Sequence, residues 1–205
     1  MSVTLHENDL PAGIDFGDAV AVDTETLGLR PQRDRLCLVQ LSAGDGTAHL
    51  VRFAQGGAYD APNLRKLLQD KAVTKIFHFG RFDIAVMKQY LGVLAAPVYC
   101  TKLASRIART YTAHHSLKTL CRELLGVELD KHQQTTDWGA ATLSPEQISY
   151  AAADVLHLHR LRAVLDEQLK REGRMELAQG CFDFLPTRAA LDAGGWGEED
   201  IFVHH

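Results

Sequence analysis

No two of the four cysteines, Cys37, Cys100, Cys121 and Cys181, are spaced as a CxxC pair. A structural zinc site is therefore not expected, and the three thiols with apolar neighbours read as reduced core residues. Nowhere do about 18 apolar residues run together, the length a membrane-spanning helix needs, so no membrane span is expected. The opening MSVTLHENDLP has acids where a secretory leader would carry basic and then apolar residues, which makes the cytosol the expected location. Internal repeats and low-complexity runs are missing too. Positive charge is short as well: the net charge is −4, which argues mildly against a polyanionic partner. Its distribution matters more than its sum, because residues 101–135 carry six Lys/Arg against three Asp/Glu and residues 136–205 carry six against twelve. A basic middle attracts a polyanion locally, and acidic clusters that hold metal depress the formal charge.

At 46% hydrophobic and 23% charged, the 205 residues suit one globular domain, with a core over about 18–170 and a helical extension and tail over 171–205. Ala19-Val20-Ala21-Val22-Asp23 reads as a buried strand that ends in a carboxylate. Leu36 to Leu41 and Ala48 to Phe53 read as two more, and the short polar connections predict an antiparallel meander. Asn63 to Leu68 is predicted helical, Thr74 to Phe79 a strand, Phe82 to Leu91 a helix closed by Gly92, and Pro97 to Cys100 a last strand. Helix-strand units after a meander imply a mixed sheet covered by helices. In the second half, Ser116 caps a helix with an apolar stripe at Leu117, Leu120, Leu124 and Leu125, stopped by Gly126. Ser144-Pro145-Glu146-Gln147 is a capping box with Pro at the first helical position, and it predicts a helix from about Pro145 to Lys170. One more short helix is expected near Pro186 to Ala193, before a Gly-rich acidic tail.

The chemistry lies in the acids. Asp23 and Glu25, at i and i+2 on a strand, face the same side. Two like charges beside an apolar core are unfavourable unless a cation joins them, and oxygen donors suit a hard divalent ion such as Mg²⁺ or Mn²⁺. Alone, the pair also reads as a turn in which Asp23 caps an amide and Glu25 is solvated. Asp83 stands at a second strand-to-helix junction, His78-Phe79-Gly80-Arg81-Phe82-Asp83, where an acid equally suits the helix macrodipole. Tyr150 and Asp154, at i and i+4 of the capped helix, share a face bordering the apolar stripe of Ile148, Ala152 and Val155.

These segments follow one another in a recognisable order, joined by Leu129-Asp130-Lys131, Gln133-Gln134, Thr136-Asp137-Trp138, Leu143-Ser144, Gln147 and Tyr150-Ala151-Ala152-Ala153-Asp154-Val155. Over roughly residues 20–165 the chain resembles the ribonuclease D family, in the tyrosine-containing branch of the DEDD superfamily of 3′→5′ exonucleases. The resemblance implies an α/β fold of the ribonuclease H-like type, three-layer α/β/α with a mixed five-stranded sheet. It implies a metal-dependent 3′→5′ exoribonuclease that releases nucleoside 5′-monophosphates in RNA processing or turnover. Two divalent cations, Mg²⁺ or Mn²⁺, would serve it: Asp23, Glu25 and Asp154 on the one that activates water, Asp23 bridging to a second, and Asp83 supporting that second ion through water. Tyr150 would orient the attacking water. Thr26 and Leu27 would lie beside the terminal nucleotide, and His78 and Phe82 against its sugar and base. Gln134 and Trp138 count among the substrate contacts, Trp138 either as a stacking platform or as a core residue.

The chain departs from the family at Ala141-Thr142, where relatives usually carry Arg-Pro, and at this length the helical C-terminal domains of bacterial ribonuclease D are not expected in it. It is similar to the short, single-domain members. Lys102, Arg106, Arg109, Lys118 and Arg122 either track phosphates or form a solvated helix face; His114-His115 is not assigned to metal. An RNA 3′ end is the favoured partner. A DNA exonuclease is the nearest alternative, since contacts to the 2′-hydroxyl decide between the polymers. From another class comes an inactive nucleic-acid-binding module, which typically lacks one or more of the carboxylates present here.

Overall fold

A computed structural model of the chain describes residues 2–129, 136–197 and 199–204. Among these, one mixed sheet of six strands is built from β1 (Ser2–Glu7), β2 (Ala19–Thr26), β3 (Leu36–Ser42), β4 (Thr47–Arg52), β5 (Thr74–Phe77) and β6 (Val98–Cys100), in the order β1-β4-β3-β2-β5-β6. β2, β3 and β4 form the expected antiparallel meander. β5 and β6 join in parallel on the other side of β2, so the Ala19–Val22 stretch lies inside the sheet, with Val20, Ala21 and Val22 fully buried. The sheet has six strands where five were expected. β1 pairs in parallel with β4 at the edge; Ser2-Val3-Thr4-Leu5-His6-Glu7 alternates weakly and stays largely exposed, so it carries little of the apolar signal that marks an inner strand.

The two faces of the meander enter different cores because successive strand residues point opposite ways. Val39, Leu41 and Val51 join the main core with Leu64 and Leu68 of α1 (Pro62–Gln69) and Ile84 of α2 (Arg81–Leu91). Leu38 and Leu50, one residue out of phase, join a smaller core with Trp138, Leu143 and Ala151 of α5 (Pro145–Leu156). Helices on both faces make the three-layer α/β/α sandwich of the ribonuclease H-like type. α3 (Thr101–Ala108) follows β6, and α4 (Leu117–Leu120) continues as a wider π turn over Cys121–Leu125 to Gly126.

Two helix boundaries differ from expectation. The helix that Ser144 caps ends at Leu156, and after His157, with φ −107°, α6 (Leu158–Arg171) takes a new direction. No Gly or Pro marks the break. α5 must cover β2 to β4 while α6 packs against β5 and α3, and one straight helix cannot serve both surfaces. α7 (Met175–Leu191) also begins well before Pro186 and runs through it. Its stripe of Ala178, Phe182, Leu185 and Ala189 is buried, and that packing outweighs the hydrogen bond a mid-helix proline removes.

Lys75 of β5 is fully buried. Its ammonium donates to the carbonyls of Asp70, Val73 and Ala96, each at 2.7 Å, tying the turn after α1 and the turn before β6 to the sheet. Lys75→Met keeps the bulk but strips three buried acceptors of a charged donor. Urea denaturation should show a loss of about 3 kcal/mol; an unchanged midpoint would mean that the three carbonyls find other partners.

Candidate active site

The site forms where the strands deliver acids beyond their own pairing. β2 pairs with β5 only over Ala19–Ala21, so Asp23 and Glu25 continue past the last β5 partner while still paired with Gln40 and Leu38 of β3. β5 stops at Phe77, two residues earlier than the expected Phe79, and the chain reverses through Phe79 at φ 69° and Gly80. A side chain on Gly80 would meet the Phe77 ring at 2.6 Å, so this close approach requires glycine. The reversal starts α2 and buries Asp83 in its first turn. There the Asp83 carboxylate accepts a 2.6 Å hydrogen bond from the Thr24 hydroxyl. Thr24 looks like a spacer in the sequence, yet it is the residue that fixes Asp83 beside the Asp23–Glu25 pair. The Ser144–Gln147 capping box is fully formed, and α5 carries Tyr150 and Asp154 on one face.

Asp23, Glu25 and Asp154 each present a carboxylate oxygen within 4.8 Å of the others. Burial pushes the Asp23 carboxyl well up from the usual carboxylate range, and the charges of Asp83, Asp154 and Glu25 add to the shift. Glu25 is pushed up to about 9 by burial and then by Asp154 and Asp83. Asp83 rises to about 7 through burial, opposed by the Thr24 hydrogen bond. The arrangement resists its own negative charge, and an all-oxygen donor set of this size fits a hard divalent cation. Burial and the Asp154 charge hold the Tyr150 hydroxyl above its ordinary range, and it hydrogen-bonds Asp154, so it is a protonated donor at neutral pH.

The remaining residues divide. The Thr26 hydroxyl is engaged with the Gly28 carbonyl. Leu27 is half exposed and packs against Gly139. His78 meets the Thr101 hydroxyl at 2.9 Å through Nδ1, and that hydroxyl also lies 3.1 Å from the Phe77 carbonyl. Phe82 lines a cavity of about 1010 Å³ with Leu29, Phe79 and Arg81. Gln134 lies outside the described residues, as do Asp130, Lys131 and Gln133. Trp138 is no stacking platform: it is 3% exposed and packs behind Tyr150, ring centroids 6.1 Å apart. Nor does Arg109 face phosphate, since it is buried and paired with Glu123; Arg122 pairs with the same acid at 3.5 Å. His115 is buried against Ser105. Phe79, unremarked in the sequence, is 46% exposed with the Lys102 ammonium 4.3 Å from its ring centre. Nothing in His78-Phe79-Gly80-Arg81-Phe82 told it apart from Phe82; the reversal at Gly80 does.

A family model described as 3′-5′ exonuclease matches residues 8–170. NrnC of Brucella melitensis, solved with bound Mg²⁺, is 54% identical with a TM-score of 0.95, and the alignment covers 100% of each chain. The same protein solved bound to pGG is 55% identical with a TM-score of 0.96. Ribonuclease D of Gluconacetobacter diazotrophicus is 37% identical over 157 residues, 77% of this chain; the chain spans 39% of that relative's length.

In EDTA the like charges have no cation to offset them. Asp23→Asn should then unfold at a higher temperature than wild type, by roughly the 1 kcal/mol scale of one pKa unit. The folded-state pKa of Glu25 is raised from 4.5 to about 9. A raised value makes wild-type stability fall as pH climbs, and the Asp23 carboxyl is raised as well; Asp23→Asn removes that contribution, so its advantage should widen from pH 5 to pH 9. Equal midpoints at every pH would remove the charge-crowding account.

Proposed function

The chain belongs to the 3′-5′ exonuclease family, and from that premise we propose that it is a metal-dependent 3′→5′ exoribonuclease. It would shorten RNA from the 3′ end and release nucleoside 5′-monophosphates. The observation that carries this is the meeting of Asp23, Glu25 and Asp154 within 4.8 Å from two elements far apart in sequence, with Tyr150 bonded to Asp154. Asp23, Glu25 and Asp154, with Asp83 beside them, would hold the divalent cations. Such ions, when bound, supply a deprotonated water at neutral pH and stabilise charge on the leaving oxygen.

The chain's own groups do the rest. The Tyr150 hydroxyl, kept protonated, positions the attacking water as a donor or acceptor and not as a base. Thr24 holds Asp83 in place. Leu27 would lie beside the terminal base, and His78, held by the Thr101 hydroxyl, would lie against the sugar. Phe82 and the cavity beside it extend this path. Binding of pGG by the Brucella relative supports substrates as short as two nucleotides with a 5′-phosphate. The favoured polymer is RNA, and the expected setting is RNA processing or turnover in the cytoplasm.

RNA and DNA oligonucleotides labelled at the 5′ end should shorten in single-nucleotide steps with Mn²⁺ and stay intact in EDTA, with RNA cut faster. Loss of nucleotides from the 5′ end would overturn the polarity. Tyr150→Phe keeps the ring and deletes the hydroxyl that bonds Asp154 and would position the water; at saturating Mn²⁺ the single-turnover rate should drop by roughly 10- to 1000-fold. Equal rates would leave Tyr150 a packing residue only.

A further inference from the structure

Gln40 is fully buried, and among the described residues neither its amide nitrogen nor its amide oxygen has a hydrogen-bond partner. Buried side-chain amides rarely go unpaired, since each unsatisfied group costs roughly 1–3 kcal/mol, so the position calls for a physical reason. Its sheet neighbours supply one. On its own strand Gln40 is flanked on the same face by Leu38 and Ser42; across the ladders it stands opposite Leu50 of β4 and Asp23 of β2. Leu38 and Leu50 are apolar and belong to the smaller core. The Ser42 hydroxyl is already spent, donating to the Thr47 carbonyl and accepting from the Gly44 amide. Of the buried residues of α5, Ala151 joins this smaller core and offers no side-chain polar atom, and Gln147 already bonds Ser144, Thr136 and Asp137. Trp138 of the same smaller core also has a buried indole N–H without a partner among the described residues, but that group can only donate; for the amide N–H the acceptor left among these neighbours is Asp23. Directly opposed residues of an antiparallel pair have Cβ atoms about 5 Å apart, a gap that a glutamine and an aspartate span together.

We propose that Gln40 is a positioning residue for the cation site: its side-chain amide donates to the Asp23 carboxylate when cations are bound, fixing which oxygen faces the metal. This rests on the cation-binding role of Asp23 proposed above. It explains why a polar side chain occupies a position where leucine would suit the fold, as it does at Leu38 and Leu50. Ligands of a metal site are commonly oriented by such hydrogen-bonded partners, whose loss costs roughly 10- to 100-fold in metal affinity.

The test is titration calorimetry of Mn²⁺ on wild type, Gln40→Leu, Gln40→Met and Asp23→Asn, with thermal melts of each in EDTA. Gln40→Leu and Gln40→Met should melt in EDTA at or above wild type, because an unpaired buried amide is gone, and should bind Mn²⁺ roughly 10- to 100-fold more weakly. Unchanged affinity in a folded variant would overturn the proposal, and so would failure of both variants to fold, which would make the role structural. Asp23→Asn keeps the two ideas apart. If it binds Mn²⁺ like wild type, the cation site itself is wrong; if it loses binding while the Gln40 variants do not, only the role of Gln40 falls.

Discussion

Like charges confined at the end of a buried strand set the terms for this molecule. Asp23, Glu25, Asp83 and Asp154 are brought together by β2, by the reversal after β5 and by α5, three elements with separate reasons to fold. Desolvation disfavours the charge of Asp23, Glu25 and Asp83, and the neighbouring acids also repel the charges of Asp23 and Glu25. A fold that only had to be stable would place apolar or neutral groups there. The cluster makes sense as a receptor for positive charge, and much of the surrounding structure keeps it assembled.

The supports are specific. Val20 to Val22 bury β2 inside the sheet, so its carboxylate end cannot drift. Glycine at position 80 lets the chain pass close over Phe77 and turn Asp83 inward, where Thr24 clamps it. The capping box at Ser144 fixes the start of α5 and with it the rotation of Tyr150 and Asp154. Trp138 packs behind the Tyr150 ring. A rigid frame around a repelling cluster is the arrangement a metal-assisted phosphodiester hydrolase needs, because the cost of bringing the charges together is met in folding and not during the reaction.

How much of this was legible in the sequence follows from how local each signal is. The apolar run before Asp23, the spacing of Tyr150 and Asp154, and the capping box are local patterns, and the structure carries each of them. β1 was not legible because an edge strand buries little and needs little apolar patterning. The break at His157 was not legible because its cause is tertiary: two sheet surfaces compete for one helical stretch. Thr24 and Gln40 were passed over for a related reason. A threonine or glutamine in a strand is unremarkable by composition; the hydrogen bond to α2 shows that Thr24 clamps Asp83, and the pairing register shows that Gln40 stands opposite Asp23. Trp138 reads equally as platform or core in sequence, and its burial decides for the core.

The central claim is that the cluster exists to receive divalent cations. The most direct measurement is the unfolding temperature of the wild-type protein as Mg²⁺ or Mn²⁺ is titrated at constant ionic strength held with NaCl. A cation that binds the folded state alone raises stability by RT ln(1 + [L]/Kd), so the midpoint should climb with the logarithm of divalent concentration above Kd. The same ionic strength supplied by Na⁺ should not reproduce the rise. A midpoint indifferent to the divalent ion, or moved equally by NaCl, would contradict the account.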